Sequence, residues 1–233
     1  MLVPLAFVCL GWRVPPVGKF DSVRTAPFHP AVHNLGNVGP LGRVHARGAR
    51  AATWVIDQLA YAGVNMRREV AQQMATRYDE GTRLLEVGCG VGTLTRELEE
   101  MQTFDIVAVD TSQEMLDRAR KDVNCTFLQK NGVDFEGTVD VSILCMVMHE
   151  MPQVAHRDML AHLLRITTTA VWIVDIDPGY TPSPAMLSGE PYVPQYLETI
   201  ESTIDAHATG RTLESLSPIV GHVRAWVIGP RAG

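Results

Sequence analysis

The chain has 233 residues, 46% hydrophobic and 20% charged, which suits one α/β domain with an N-terminal extension and is short for two full domains. A formal net charge of −6 sets the global field against a phosphate backbone, which argues against nucleic acid as a partner. The four cysteines, Cys9, Cys89, Cys125 and Cys145, show no CxxC pairing, so reduced thiols fit better than a zinc site or a disulfide framework.

Met1–Trp12 is apolar and is followed by Arg13, Pro15, Pro16 and Lys19. It is compatible with the hydrophobic part of a targeting presequence, although no basic region precedes it, and equally with a loosely packed N-terminus. It falls short of the roughly 20 residues a helix needs to span a bilayer, and no other stretch qualifies, so stable membrane insertion is not expected. Residues 13–48 are rich in Gly, Pro, Arg and His without a hydrophobic period and predict an extended, loop-like segment. Within it, Phe28-His29-Pro30 and His33–Gly39 set polar side chains between glycines, as a lid over a pocket would. His29, His33, Asn34, Asn37 and His45 lack the carboxylates and regular spacing of a metal cluster. Helical spacing of Trp54, Val55, Leu59 and Ala62 predicts a helix over Ala51–Ala62, and a charged amphipathic helix follows over Val64–Tyr78. The expected division is a 1–48 extension, a 49–80 helical cap and an 81–233 core.

From Leu84 the rhythm alternates. Strands are predicted at Leu84–Val87, Ile106–Val109, Thr126–Leu128, Val139–Cys145 and Ala170–Val174, with helices at Leu94–Met101, Ser112–Lys121 and Val154–Ile166 between them. Such alternation predicts a Rossmann-like, doubly wound, mostly parallel sheet with helices on both faces. Five prolines between Pro178 and Pro194 predict a long shaped loop, followed by a helix over Gln195–His207. Val220–Val223 and Ala225–Ile228 then close a seven-stranded sheet as its antiparallel edge.

The strongest local signal is Leu84-Leu85-Glu86-Val87-Gly88-Cys89-Gly90-Val91-Gly92-Thr93, an acid and three alternating glycines between a strand and a helix. Glycine permits positive φ and lets the backbone approach a ligand without a Cβ in the way. Asp110 ends the next strand, 18 residues after Gly92, where a carboxylate would meet ribose hydroxyls. A dinucleotide fingerprint, GxGxxG, would want glycine where Thr93 stands, which disfavours a nicotinamide-dependent oxidoreductase. Cys89 reads as a small filler, since no activating base stands near it in sequence.

These motifs resemble those of the class I S-adenosylmethionine-dependent methyltransferases, over roughly residues 80–176. The resemblance implies S-adenosylmethionine as cofactor. It assigns the methionine part to Gly88, Cys89, Gly90 and Gly92, the methionine amino group to Glu86 and the ribose to Asp110. Thr111 and Ser112 would lie beside the adenosine, and Asn131 and Gly132 near the adenine amino group, where the family usually has Asp. The segment Asp140–Pro152, which contains Cys145 and Met146, resembles that of the ubiquinone-biosynthesis-like branch. The N-terminal segment and the Asp175–Tyr192 loop resemble a group of uncharacterised algal methyltransferase-like proteins. No Asn/Asp-Pro-Pro-Tyr follows the fourth strand, which argues against methylation of planar amino groups.

Methyl transfer is an in-line displacement that requires an aligned nucleophile and a proton acceptor where the nucleophile carries a proton, and it requires no metal. His149 and Glu150 follow the fourth strand at the sheet edge facing the donor. His149 is the first choice of general base, since an unperturbed imidazole titrates near pH 6.5; the alternative is that it only lines the cofactor. Asp175, Asp177, Tyr180, Glu190, Tyr192 and Tyr196 follow the fifth strand and read as a substrate wall stiffened by proline, the alternative being a rigid connector. The expected partner is a small-molecule substrate. A non-catalytic protein that binds the donor would carry the same motifs. Nothing in the pattern sets the oligomeric state or compartment.

Overall fold

A computed structural model describes residue 37 and residues 39–231 of the chain. Helix α1 spans Gly39–Leu59 and α2 Met66–Ala75. They precede β1 (Thr82–Val87), α3 (Thr93–Glu100), β2 (Phe104–Asp110), α4 (Gln113–Ala119) and β3 (Thr126–Gln129). The second half runs β4 (Val139–Cys145), α5 (Gln153–Ile166), β5 (Thr167–Ile176), α6 (Pro184–Gly189), α7 (Val193–Ala208), β6 (Arg211–Ile219) and β7 (Val223–Arg231). Short 3-10 turns occupy Gly132–Asp134 and Met148–Glu150.

The seven strands form one sheet in the order β3-β2-β1-β4-β5-β7-β6, parallel except where β7 runs against β5 and β6. Because the central strands are covered on both faces, neighbouring residues along a strand enter opposite cores. Leu84, Ile143 and Trp172 face the α2–α3–α4 side, whereas Leu85, Leu144 and Ile173 face the α5–α7 side. The chain leaves β1 toward β2 in one direction and returns to β4 in the other. The crevice at the carboxyl ends of β1 and β4 is therefore the topological switch point, where ligands bind in open α/β sheets.

Helix α1 corrects the loop expected through residue 48 and crosses the expected boundary at 48/49. Of its glycines, Gly42 is a packing position, where a Cβ would stand 2.5 Å from the Asn37 carbonyl carbon. Pro40 lies in the first turn, where its missing N–H costs nothing. The helix is fixed from outside itself. Gly39 N donates to Glu114 Oε1 (2.7 Å), Ser112 Oγ donates to the Asn37 carbonyl, and Arg50 reaches the Val91 carbonyl (3.1 Å) and pairs with Asp122. The targeting segment and the Phe28–Gly36 part of the lid lie outside the described residues. Among the described residues no helix is long and apolar enough to cross a membrane.

Two further differences concern the C-terminal third. The strands expected at Val220–Val223 and Ala225–Ile228 are replaced by one turn and one strand: residues 220–222 turn the chain, with Gly221 at φ 73°, and β7 runs from Val223 through the second run, while β6, at Arg211–Ile219, was not expected. β6 is an exposed edge strand with little apolar pattern, and it tolerates Pro218 for the same reason. The proline-rich loop contains α6, started by Ser183, whose hydroxyl accepts from Met186 N (3.2 Å), with Pro184 in the first turn.

Candidate functional site

A cavity of 290 Å³ opens at the switch point, near the lower end of the range for small-molecule sites. Its floor is the turn after β1. Gly88 and Gly90 adopt φ values of 72° and 55°, and Gly88 N and Cys89 N donate to the Val109 carbonyl (2.8 and 3.1 Å). A Cβ on Gly88 would stand 2.6 Å from Val147, whereas one on Gly90 would meet nothing within 4 Å. Gly90 thus faces open space while Gly88 fits tightly against β4's exit. Gly92, also at positive φ, does not line the cavity. It starts α3 and allows close approach of α4, since its Cβ would stand 3.1 Å from that of Ala119.

Three polar groups ring this turn. Glu86 is buried, and its Oε2 has no partner among the described residues; burial pushes its carboxyl up to about 8. Asp110 holds the turn from β2, with Oδ2 accepting from Gly90 N and Oδ1 from Ser112 N (both 2.8 Å). Burial raises its carboxyl and those backbone bonds oppose the rise. Asn131 and Gly132 line the far wall, Asn131 accepting from Val133 N, and Gly132 so close to β1 that a Cβ would stand 2.5 Å from Val87. Cys89 and Cys145 line the cavity as thiols, burial pushing their pKa up and disfavouring the thiolate.

At the other end lies a buried pair. His149 Nδ1 stands 2.6 Å from Asp175 Oδ1, and Asp175 is fully buried at the end of β5. That carboxylate also accepts from Met148 N (2.8 Å), His149 N (3.3 Å) and Ile176 N (2.7 Å). It is thereby locked against the 3-10 turn that carries His149, with His156 supporting the turn through the Met148 carbonyl (2.6 Å). With Nδ1 held by the carboxylate, Nε2 is the nitrogen left to accept a proton. Burial alone would lower the imidazole. The Asp175 charge and hydrogen bond overcome it and push His149 up to about 9, well above the ordinary value assumed from sequence. Glu150 lines the same end, pushed up to about 8 by burial, against which His149 pulls it down. Met146, on the wall between, holds φ 59°, a conformation uncommon away from glycine and often found at functional sites.

The structure brings together at one cavity Glu86, Gly88, Cys89, Gly90, Asp110, Thr111, Asn131, Gly132, Cys145, Met146, His149 and Glu150. Ser112 stands apart as the α4 cap, accepting from Met115 N (3.2 Å). The substrate wall after β5 is differently used. Asp175 orients His149, Asp177 pairs with Arg224 (3.0 Å), and Tyr196 is buried with its hydroxyl donating to the Ile176 carbonyl (2.7 Å). Tyr180 packs against His222, and neither it nor Tyr192 lines the cavity. Glu190 alone of that group approaches the site, its carboxylate meeting His149 and Glu150. Sequence reasoning missed Arg67, Lys130, Ala49 and Thr53 on the wall. Arg67, whose positive charge opposes the burial-driven rise of Glu86 and favours its carboxylate, stands on a charged amphipathic helix that gave no sign of which face meets the cavity.

Comparison with known proteins gives one family: residues 84–170 match the model described as a methyltransferase domain. A malonyl-[acyl-carrier protein] O-methyltransferase of Halalkalibacterium halodurans is 39% identical over 83 residues, 30% of this chain. That match covers 31% of the relative, about a third of its length. Among solved structures, the plantazolicin methyltransferase BpumL, in complex with a triazolic desmethylPZN analog and SAH, superposes with a TM-score of 0.58 at 16% identity. The superposition covers 81% of this chain and 96% of that one. Magnesium protoporphyrin IX methyltransferase (ChlM) from Synechocystis PCC 6803 with bound SAM gives 0.52 at 16% identity, over 86% and 89%. At such identities the superpositions establish the fold.

Proposed function

We propose that this chain, which carries a class I methyltransferase domain at residues 84–170, moves a methyl group from S-adenosylmethionine to a small-molecule acceptor. The observation that carries the reading is the convergence of Glu86, the Gly88–Gly90 turn and Asp110 on one cavity at the switch point. Two features test the fit of the cofactor. The orphaned Glu86 Oε2 needs a donor, which an ammonium supplies, and the space beside Gly90 admits a ligand against bare backbone. The residues fit: Glu86 for the methionine amino group, the Gly88–Gly90 backbone along the methionine, Asp110 for the ribose, and Asn131 with Gly132 toward the adenine. Solved structures of this fold with SAH or SAM bound support S-adenosylmethionine as the cofactor.

When bound, S-adenosylmethionine supplies an electrophilic methyl on a sulfonium. The chain's own part is to align the acceptor, cover it and receive its proton. Helix α1 covers the cavity with His45, Ala49 and Thr53. His149 receives the proton at Nε2 and Asp175 holds the ring and stabilises the imidazolium. Because His149 is pushed up to about 9, it is mostly charged at neutral pH in the free protein; a cation bound beside it lowers that value and frees the base. The net charge of −6 supports a small acceptor over nucleic acid.

Calorimetric titration with S-adenosylmethionine, SAH and NAD, with Asp110→Ala as control, tests the reading. Micromolar binding of the first two, lost in the variant, upholds it. Binding of NAD instead, or of neither cofactor, overturns it.

A further inference from the structure

Behind the proton acceptor lies a charge arrangement that methyl transfer as such does not require. A ring nitrogen of His149 and one carboxylate oxygen each of Glu150 and Glu190 lie within 4.8 Å of one another. His149 is 6% exposed, and with its Nδ1 spent on Asp175 its Nε2 is the ring nitrogen left for a ligand. Glu190 Oε2 is buried and likewise without a hydrogen-bond partner there. Among the described residues neither Glu150 nor Glu190 pairs with a lysine or arginine, and the positive groups acting on Glu190 are the imidazoles of His149 and, from α1, His45. Asp175 takes up the charge of His149 itself. Two half-buried carboxyls, both raised by burial, are left facing one imidazole, and a cation held among them would favour their charged forms at neutral pH.

We propose that the acceptor is an amine, bound as its ammonium between His149, Glu150 and Glu190. This rests on the methyl-transfer reading and names its substrate class. Three atoms no more than 4.8 Å apart can be met from a common centre within about 2.8 Å of each, inside the reach of charge-assisted N–H···O and N–H···N hydrogen bonds. A divalent metal, at about 2.0–2.2 Å from such atoms, is the competing occupant and is one arm of the test. The ammonium donates to all three groups, and the bond to Nε2 is also the path for its proton. The proton passes to Nε2, and the freed nitrogen lone pair forms the N–C bond to the methyl. The C–S bond breaks with its electron pair left on sulfur. The donor leaves as a neutral thioether, and the methylated ammonium keeps its positive charge between Glu150 and Glu190.

The test uses the full chain saturated with SAH, which has no sulfonium charge. Propylamine, phenethylamine and spermidine are titrated beside the matched alcohols and carboxylates, and beside Mg²⁺, Mn²⁺ and Zn²⁺, in wild type, Glu190→Gln and Glu150→Gln. The amide variants are isosteric, and SAH affinity is measured in each so that amine binding is compared at the same SAH saturation. The proposal expects at least one amine to bind where its alcohol and carboxylate do not, weakened about tenfold or more in both variants. SAH binding with no preference for amines overturns the proposal and leaves the methyl-transfer reading standing. A divalent ion held through Glu190 in preference to every amine also overturns it. Failure to bind SAH removes both.

Discussion

Replacing Asp175 with asparagine tests how the buried pair sets the base. The variant keeps the shape of the side chain and removes the charge that holds His149 at about 9, against an ordinary value of 6.5. With that charge gone, burial outweighs the smaller upward pull of Glu150 and Glu190 and brings the ring down to the ordinary value of about 6.5 or below. A change of this size corresponds to roughly 3 kcal/mol between the two protonation states. The sign for stability follows. A histidine raised in the folded state adds stability that is fully present below its unfolded pKa and lost as pH rises through its folded one. Wild type should therefore lose denaturation free energy between about pH 6.5 and 9, and Asp175→Asn should lack that loss. Ring-proton NMR of His149, assigned by comparison with His149→Gln, reads the titration directly, and the melting midpoint from pH 6 to 10 reads its linkage. A wild-type His149 titrating near 6.5, or an Asp175→Asn ring that titrates as high as wild type, would refute the reasoning.

Other expectations follow from the same geometry. Glu86→Gln replaces a charged hydrogen-bond partner, so affinity for SAH should fall about 10- to 100-fold by calorimetry. In wild type that affinity should improve as pH rises through about 8, where Glu86 ionises, and in the variant this component should vanish. Gly88→Ala forces both positive φ and a 2.6 Å contact with Val147, and should lower stability by about 1–3 kcal/mol in urea unfolding. Gly90→Ala meets no neighbour, so it should cost less stability but place a methyl in the cavity and weaken SAH binding. Gly42→Val, aimed at the Asn37 backbone, should lift the start of α1 off α4 and weaken SAH binding while leaving the melting midpoint within a few degrees. Tyr78→Phe leaves the buried Trp172 indole, now bonded to the tyrosine hydroxyl at 2.7 Å, without a partner and should cost about 1–3 kcal/mol.

The parts of the site that were legible in sequence are those imposed locally. Positive φ at residues 88, 90 and 92 demands glycine, and an acid at the end of the next strand needs only the parallel pairing of β1 with β2 to reach the turn. Pairings between elements remote in sequence were not legible. Asp175 looked like part of a substrate wall because it ends a strand at the ligand-binding edge. Its place beside His149, 26 residues away, follows from β4 and β5 lying side by side in register. The same holds for α1, whose glycines read as breakers until the Asn37 carbonyl packs against Gly42 and Glu114 of α4 accepts from Gly39 N.

This division bears on where acceptor specificity is written. The proposed cofactor end is built from one contiguous turn, the end of the adjacent strand and the turn after β3, all within the residues 84–170 that match the family model. The proposed acceptor end adds α1 from before that span and Glu190 from after it to His149 and Glu150 within it. A relative alike only within the span carries no information about α1 or Glu190. The acceptor therefore has to be read from the side chains that the fold assembles around His149.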